Sequence, residues 1–236
     1  PLVIRDVVDA LRKVPAEHSV SFVPRLKGWT HHNRGFLFWR QLGKLVTHLA
    51  KGEKPQEALT LLTPLLAIEG VRVDAAAEYS YGSVKPRISM YEYIQIVDEH
   101  LRPVLERTGR GLFDVLCNTL HKAAKLSRRS HSSEEWDDNS CVWQPDLKIQ
   151  DEDDRDDVRC VLVAATRETA ETLLNDGRVD LSHLVEDLEA HCWLIFRRLA
   201  LYCLVTTASV PRDLIAPRLT HEPSFRDRNL RKEYDS

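Results

Sequence analysis

Apolar side chains recur along most of this chain at the three-to-four-residue interval of an α-helix, with short breaks between runs. Val3, Val7, Ala10 or Leu11, and Val14 open the series, and Pro15 stops it. Phe38, Trp39, Leu42, Leu45, Val46 and Leu49 predict a strongly amphipathic helix ended by Lys51-Gly52. Pro55 opens the next at a first-turn position, where its missing N–H costs nothing, and that helix carries Leu62, Leu65 and Leu66. Met90, Tyr93, Ile94, Val97, Leu101 and Leu105 mark a longer helix despite Pro103. Thr108-Gly109-Arg110-Gly111 breaks the chain, and Leu112, Phe113, Leu116, Leu120 and Ala124 build the partner helix. Val158, Val161, Leu162, Ala165 and Leu173 resume the period, followed by a helix over 181–188 and a segment opened by Pro211.

One run stands apart. From Trp193 to Val205 the chain is apolar on nearly every side of a helix, so that helix must sit between others. Only Arg197 and Arg198 interrupt it. An unpaired buried charge costs several kcal/mol, so one arginine is expected to reach solvent and the other to pair with a neighbouring helix.

Three stretches lose the period. Residues 16–35 show no clear period, and 27–35 read as a loop or broken helix. Residues 69–87, with Gly70, Gly82 and Pro86, predict a long connection. Residues 127–154 are the most polar part and predict a long loop holding Trp136 and Trp143. The whole reads as all-α: antiparallel helix pairs stacked into a curved superhelix. Helices recur at roughly 20-residue intervals and pairs at about 40, the period of HEAT-like and TPR-like repeats. The division expected is N-terminal helical hairpins over 1–87 and a helical-repeat segment over 88–236, in one continuous solenoid.

Composition narrows the function. At 236 residues, 43% hydrophobic and 29% charged, the chain has the balance of a soluble globular protein. A formal net charge of −3 argues against nucleic acid as a partner. No apolar run reaches the ~20 residues that span a bilayer, so no membrane is expected. Five cysteines include no C-x-x-C pair; Cys117, Cys160 and Cys203 fall inside apolar helical patterns. An odd count without a signal peptide fits reduced thiols in a cytoplasm. The start at Pro1 and the charged stretch ending at Ser236 read as cuts through a longer protein.

No catalytic constellation is legible. There is no P-loop, H-E-x-x-H, G-x-S-x-G or kinase-type loop, so neither an enzyme nor a cofactor is expected in this segment. His31-His32, with His18 and His48 nearby, lack a carboxylate at helical spacing and read as polar loop residues rather than metal ligands. His183, His191 and Cys192 read as helix-terminal or interhelical. The acidic run from Asp151 to Asp157 lacks the glycine and alternation of an EF-hand and reads as a solvated helix start. Arg128-Arg129, with Lys122 and Lys125, form a basic helix end that suits the dipole. Aromatics presented among polar residues are typical binding anchors, so Trp136, Trp143, Arg128 and Arg129 are the candidate protein-binding residues. Trp193, Phe196, Arg197 and Arg198 are expected to be structural.

Four stretches resemble the helical-repeat region downstream of the ATPase core in large bacterial STAND (NACHT-like) NTPases, many of them antiviral sensors. They are Tyr91-Glu92-Tyr93, Val142-Trp143-Gln144-Pro145-Asp146, Phe196-Arg197-Arg198-Leu199-Ala200-Leu201 and Leu230-Arg231-Lys232-Glu233-Tyr234. The resemblance covers roughly residues 88–236; where this chain has Gln144, such regions usually carry Arg. It implies a ligand-sensing or autoinhibitory superhelix whose target is a protein or a neighbouring domain. In that family, target binding releases an upstream NTPase to oligomerise. A helical scaffold arm unrelated to defence and an all-α enzyme with an illegible site are the competing readings.

Overall fold

The computed structural model describes residues 2–30, 36–71, 82–128, 138–143, 146–147, 155–208, 210–220 and 230. Among these the chain is mainly helical: α1 (Leu2–Leu11), α2 (Ala16–Ser19), α3 (Val23–Trp29), α4 (Phe36–Lys51), α5 (Pro55–Leu65), α6 (Met90–Thr108), α7 (Arg110–Leu126), α8 (Val158–Asn175), α9 (Leu181–Glu189), α10 (Leu194–Thr206) and α11 (Arg212–Leu219). None of these helices is long and apolar enough to cross a membrane.

Three stretches differ from the sequence expectation. The long connection expected over 69–87 holds two short strands, β1 (Ile68–Val71) and β2 (Ser83–Pro86), which pair with each other. The Arg87 N–H donates to the Ala67 carbonyl at 3.0 Å, and Lys85 lies 3.5 Å from Glu69. Residues 16–29, which carry no clear period, form α2, a 3-10 turn at Val20–Phe22, and α3, so that 27–29 of the expected loop or broken helix close α3. Burial of Ala16, Ser19, Val23 and Leu26 holds them in place, with the Ser19 hydroxyl donating to the Leu11 carbonyl at 2.7 Å. The break expected at 108–111 narrows to Gly109, whose φ of 53° is the left-handed conformation glycine tolerates. Its N–H closes α6 on the Leu105 carbonyl.

The chain forms two compact units: residues 1–69 with 85–119, and 70–84 with 120–236. Helix α6 and most of α7 fall in the first of these units.

The N-terminal unit is built around α4, which packs on α1, α5 and α6. Trp39, Leu42, Leu45, Val46 and Leu49 are all buried, as their spacing predicts. Gly43 is where α4 meets His100 of α6: a Cβ there would lie 2.4 Å from the imidazole Cδ2. The His100 ring, itself buried, has its Nδ1 2.9 Å from the Thr47 hydroxyl. Helix α6 starts with a reciprocal cap, Glu92 N–H to the Ser89 hydroxyl and Ser89 N–H to the Glu92 carboxylate.

The C-terminal unit centres on α10, which packs on α8, α9 and a 3-10 turn at Ser140–Val142. Cys160 through Arg167 of α8 are buried without interruption, so α8 is enclosed as fully as α10. Asp157 caps α8 by accepting the Arg159 N–H at 2.8 Å. Gly177 (φ 63°) ends that helix: its own N–H and that of Arg178 close on the Leu174 and Leu173 carbonyls, a Schellman motif.

Candidate functional site

A group of polar and aromatic side chains lies where the end of α7, the Asp138–Trp143 turn and the α9–α10 junction converge. Helix α10 begins after Trp193, a residue with extended backbone and no capping side chain. Its first N–H groups would be orphans. They are met instead from some 55 residues upstream: Leu194 N–H donates to Asp138 Oδ2 at 2.5 Å, and Ile195 N–H to the Ser140 hydroxyl at 3.1 Å. Asp138 also accepts the Ser140 N–H at 2.8 Å, and its carboxylate sits at the positive end of the helix dipole. Asp138→Ala should therefore cost about 1–2 kcal/mol, read from urea unfolding, with Asp138→Asn recovering part of it.

On this capped helix start stand the rings. The Trp193 indole Nε1–H points to His121 Nδ1 at 3.2 Å, and His191 Nδ1 lies 3.2 Å from the same nitrogen. The His191 ring stacks on Phe196, with centroids 4.1 Å apart and planes 19° apart. The Arg128 guanidinium lies over the Trp193 ring, 4.4 Å from its centroid. Trp193 and Phe196 are buried; His121, Arg128 and His191 are half-buried. Burial, followed by the Lys125 charge, holds His121 below the ordinary imidazole range. His191 is lowered by burial and then by His121, with Asp187 pulling the other way. The cluster is thus a neutral pair of imidazoles beside two fixed cations.

A second network lies between α8 and α10. The buried Arg167 donates to the Leu147 carbonyl, lies 3.3 Å from Glu168, and has its guanidinium 5.9 Å from the Tyr202 ring centroid. The Tyr202 hydroxyl donates to Glu171 at 2.5 Å; burial and that carboxylate push the phenol up to about 12. Burial raises the neighbouring Cys203 thiol to about 12, so it is not an activated nucleophile.

Of the candidate binding residues, Trp136 and Arg129 lie outside the described residues, as do His31, His32 and Asp151–Asp154. Trp143 is buried, with the Arg159 guanidinium 5.4 Å from its ring centroid; its carbonyl accepts the Cys160 thiol, and its indole N–H meets no acceptor among the described residues. Arg128 leans on Trp193, so the basic helix end and the apolar run, separate in sequence, meet in one cluster. Arg197 is exposed, while Arg198, 1% exposed, lies among the core side chains and has an interaction partner. His183 and Cys192 are exposed, and His48 Nε2 lies 2.9 Å from the Val14 carbonyl. Among the described residues no three His, Cys, Asp or Glu side chains group as metal ligands.

His121 is the member that sequence reasoning missed. Its only signal is that His121, Lys125 and Arg128 follow at i, i+4 and i+7, one face of a helix end. Asp138 and Ser140 gave none, because a cap supplied from a distant turn leaves no local signature. Comparison with protein-family models, with curated proteins and with solved structures finds no match.

Proposed function

We propose that this chain is part of a non-catalytic, protein-recognising region of a STAND-type NTPase serving bacterial antiviral defence, its helix pairs stacked as a HEAT- or TPR-like superhelix. The observation that supports the reading is where the resembling stretches fall. Tyr91–Tyr93 open α6, and Phe196–Leu201 lie within α10, the axis of the C-terminal unit. A helical frame of this kind sets the surface on which a target is read, and loops between its helices carry the recognition. Residues 127–155 are the longest polar stretch. Arg128 at its start and Trp143 within it are both anchored in the C-terminal unit. Binding energy in such surfaces concentrates in a few aromatic and arginine side chains.

The test is phage challenge of cells carrying the full-length protein. Trp136→Ala should weaken protection while leaving the melting midpoint of the purified protein unchanged. Unaltered protection would favour a scaffold arm, and loss of folding would make Trp136 a residue that pins its own loop.

A further inference from the structure

The hydrogen-bond arithmetic at His121 allows only one protonation state. An indole N–H donates and never accepts, so the contact at 3.2 Å requires His121 Nδ1 to be an acceptor, with the ring proton on Nε2. The contact between His191 Nδ1 and that nitrogen then requires His191 to carry its proton on Nδ1 and donate. One lone pair on His121 thus receives two donors, Trp193 from the start of α10 and His191 from the α9–α10 junction. A proton on His191 Nε2 leaves both contacts intact. A proton on His121 Nδ1 removes the Trp193 contact, because the indole can only donate, while the His191 contact survives by reversal, with His191 carrying its proton on Nε2 and accepting.

We propose that the His121–Trp193 hydrogen bond is a proton-operated latch, closed while His121 is neutral and released when it takes up a proton, freeing the start of α10 from the end of α7. The surroundings give the latch its sense. From α7, Lys125 lies one turn beyond His121, and Arg128 covers Trp193. From α9, Asp187 acts on His191. From the turn, Asp138 is already committed to the Leu194 and Ser140 N–H groups. An imidazolium at His121 would therefore meet cations and donors. Half-burial of both rings leaves protons a route from solvent. The linkage follows. His121, lowered in the folded protein, contributes stability that is fully present above pH 6.5 and is lost as the pH falls toward its folded value. The inference is independent of the sensor reading, since it concerns only groups within the C-terminal unit.

The test is proton and nitrogen NMR of the whole chain from pH 7.5 to 4.5, with the Trp193 indole resonance assigned from Trp193→Phe. His100, in the N-terminal unit, is also held below its ordinary range by burial, so a global melting curve would mix the two histidines. The indole resonance does not. It should shift with a midpoint below 6.5 that coincides with the His121 Cε1–H titration, while its protection against exchange, taken relative to a free indole at the same pH, falls roughly five- to tenfold, the weight of one hydrogen bond. His121→Asn offers an amide oxygen to the indole but takes no proton, and should flatten the shift over the same range. A Trp193 resonance that ignores the His121 titration, or that still moves in the Asn variant, would overturn the latch. If that variant does not fold, coincidence or its absence in the wild-type protein decides the matter.

Discussion

Phe196→Ala should destabilise the protein by about 3–5 kcal/mol, the range for emptying a fully buried aromatic site. Phe196 has no solvent exposure. It also carries the stacked His191 ring, so truncation removes the floor of the His121–Trp193 cluster along with the packing. At about 2–4 °C per kcal/mol for a chain of this size, the melting midpoint should fall by roughly 6–20 °C. A shift below about 2 °C would mean that this face of α10 is open to solvent and serves as a docking surface.

Trp39→Ala should have an effect of the same size in the N-terminal unit, about 3–5 kcal/mol. Trp39 is 2% exposed on α4, the helix against which α1, α5 and α6 pack, and it meets Phe38 edge-on with centroids 5.3 Å apart. Removing the indole leaves a cavity between these helices. Chemical denaturation followed by far-ultraviolet circular dichroism checks the change. A loss under about 1 kcal/mol would show that the helices around α4 can close the gap.

These two positions mark where the fold was legible. The 3.6-residue period around Trp39 and Phe196 places both on helices and inside, because burial of a contiguous apolar stripe is a local, repeating constraint. The same holds for α6 and α8, and for the arginine pair, of which Arg197 faces out and Arg198 in. Legibility fails where structure depends on a distant partner. The four residues of β2 alternate in burial, yet a run so short, ended by Pro86, is a strand only because β1 pairs with it. Helix α3 holds Pro24 and Gly28, both poor helix signals, and is kept by burial of Val23 and Leu26. Ser89-x-x-Glu92, by contrast, is a local capping signature that could have been read. The candidate site was the least legible part. Arg128, Trp193 and His191 could each be singled out from the sequence, but nothing in it joins them to His121 or to the caps from Asp138 and Ser140. Those contacts span some 55 to 72 residues.

The central functional claim is that this helical chain serves a nucleotide-driven switch whose catalytic core lies in other residues of the same protein. ATP turnover by the purified full-length protein, measured beside the 236-residue chain alone, tests it most directly. The account predicts hydrolysis by the full-length protein and none by the chain. A full-length protein that neither binds nor hydrolyses ATP, or turnover by the isolated chain that a single substitution within it abolishes, would contradict it.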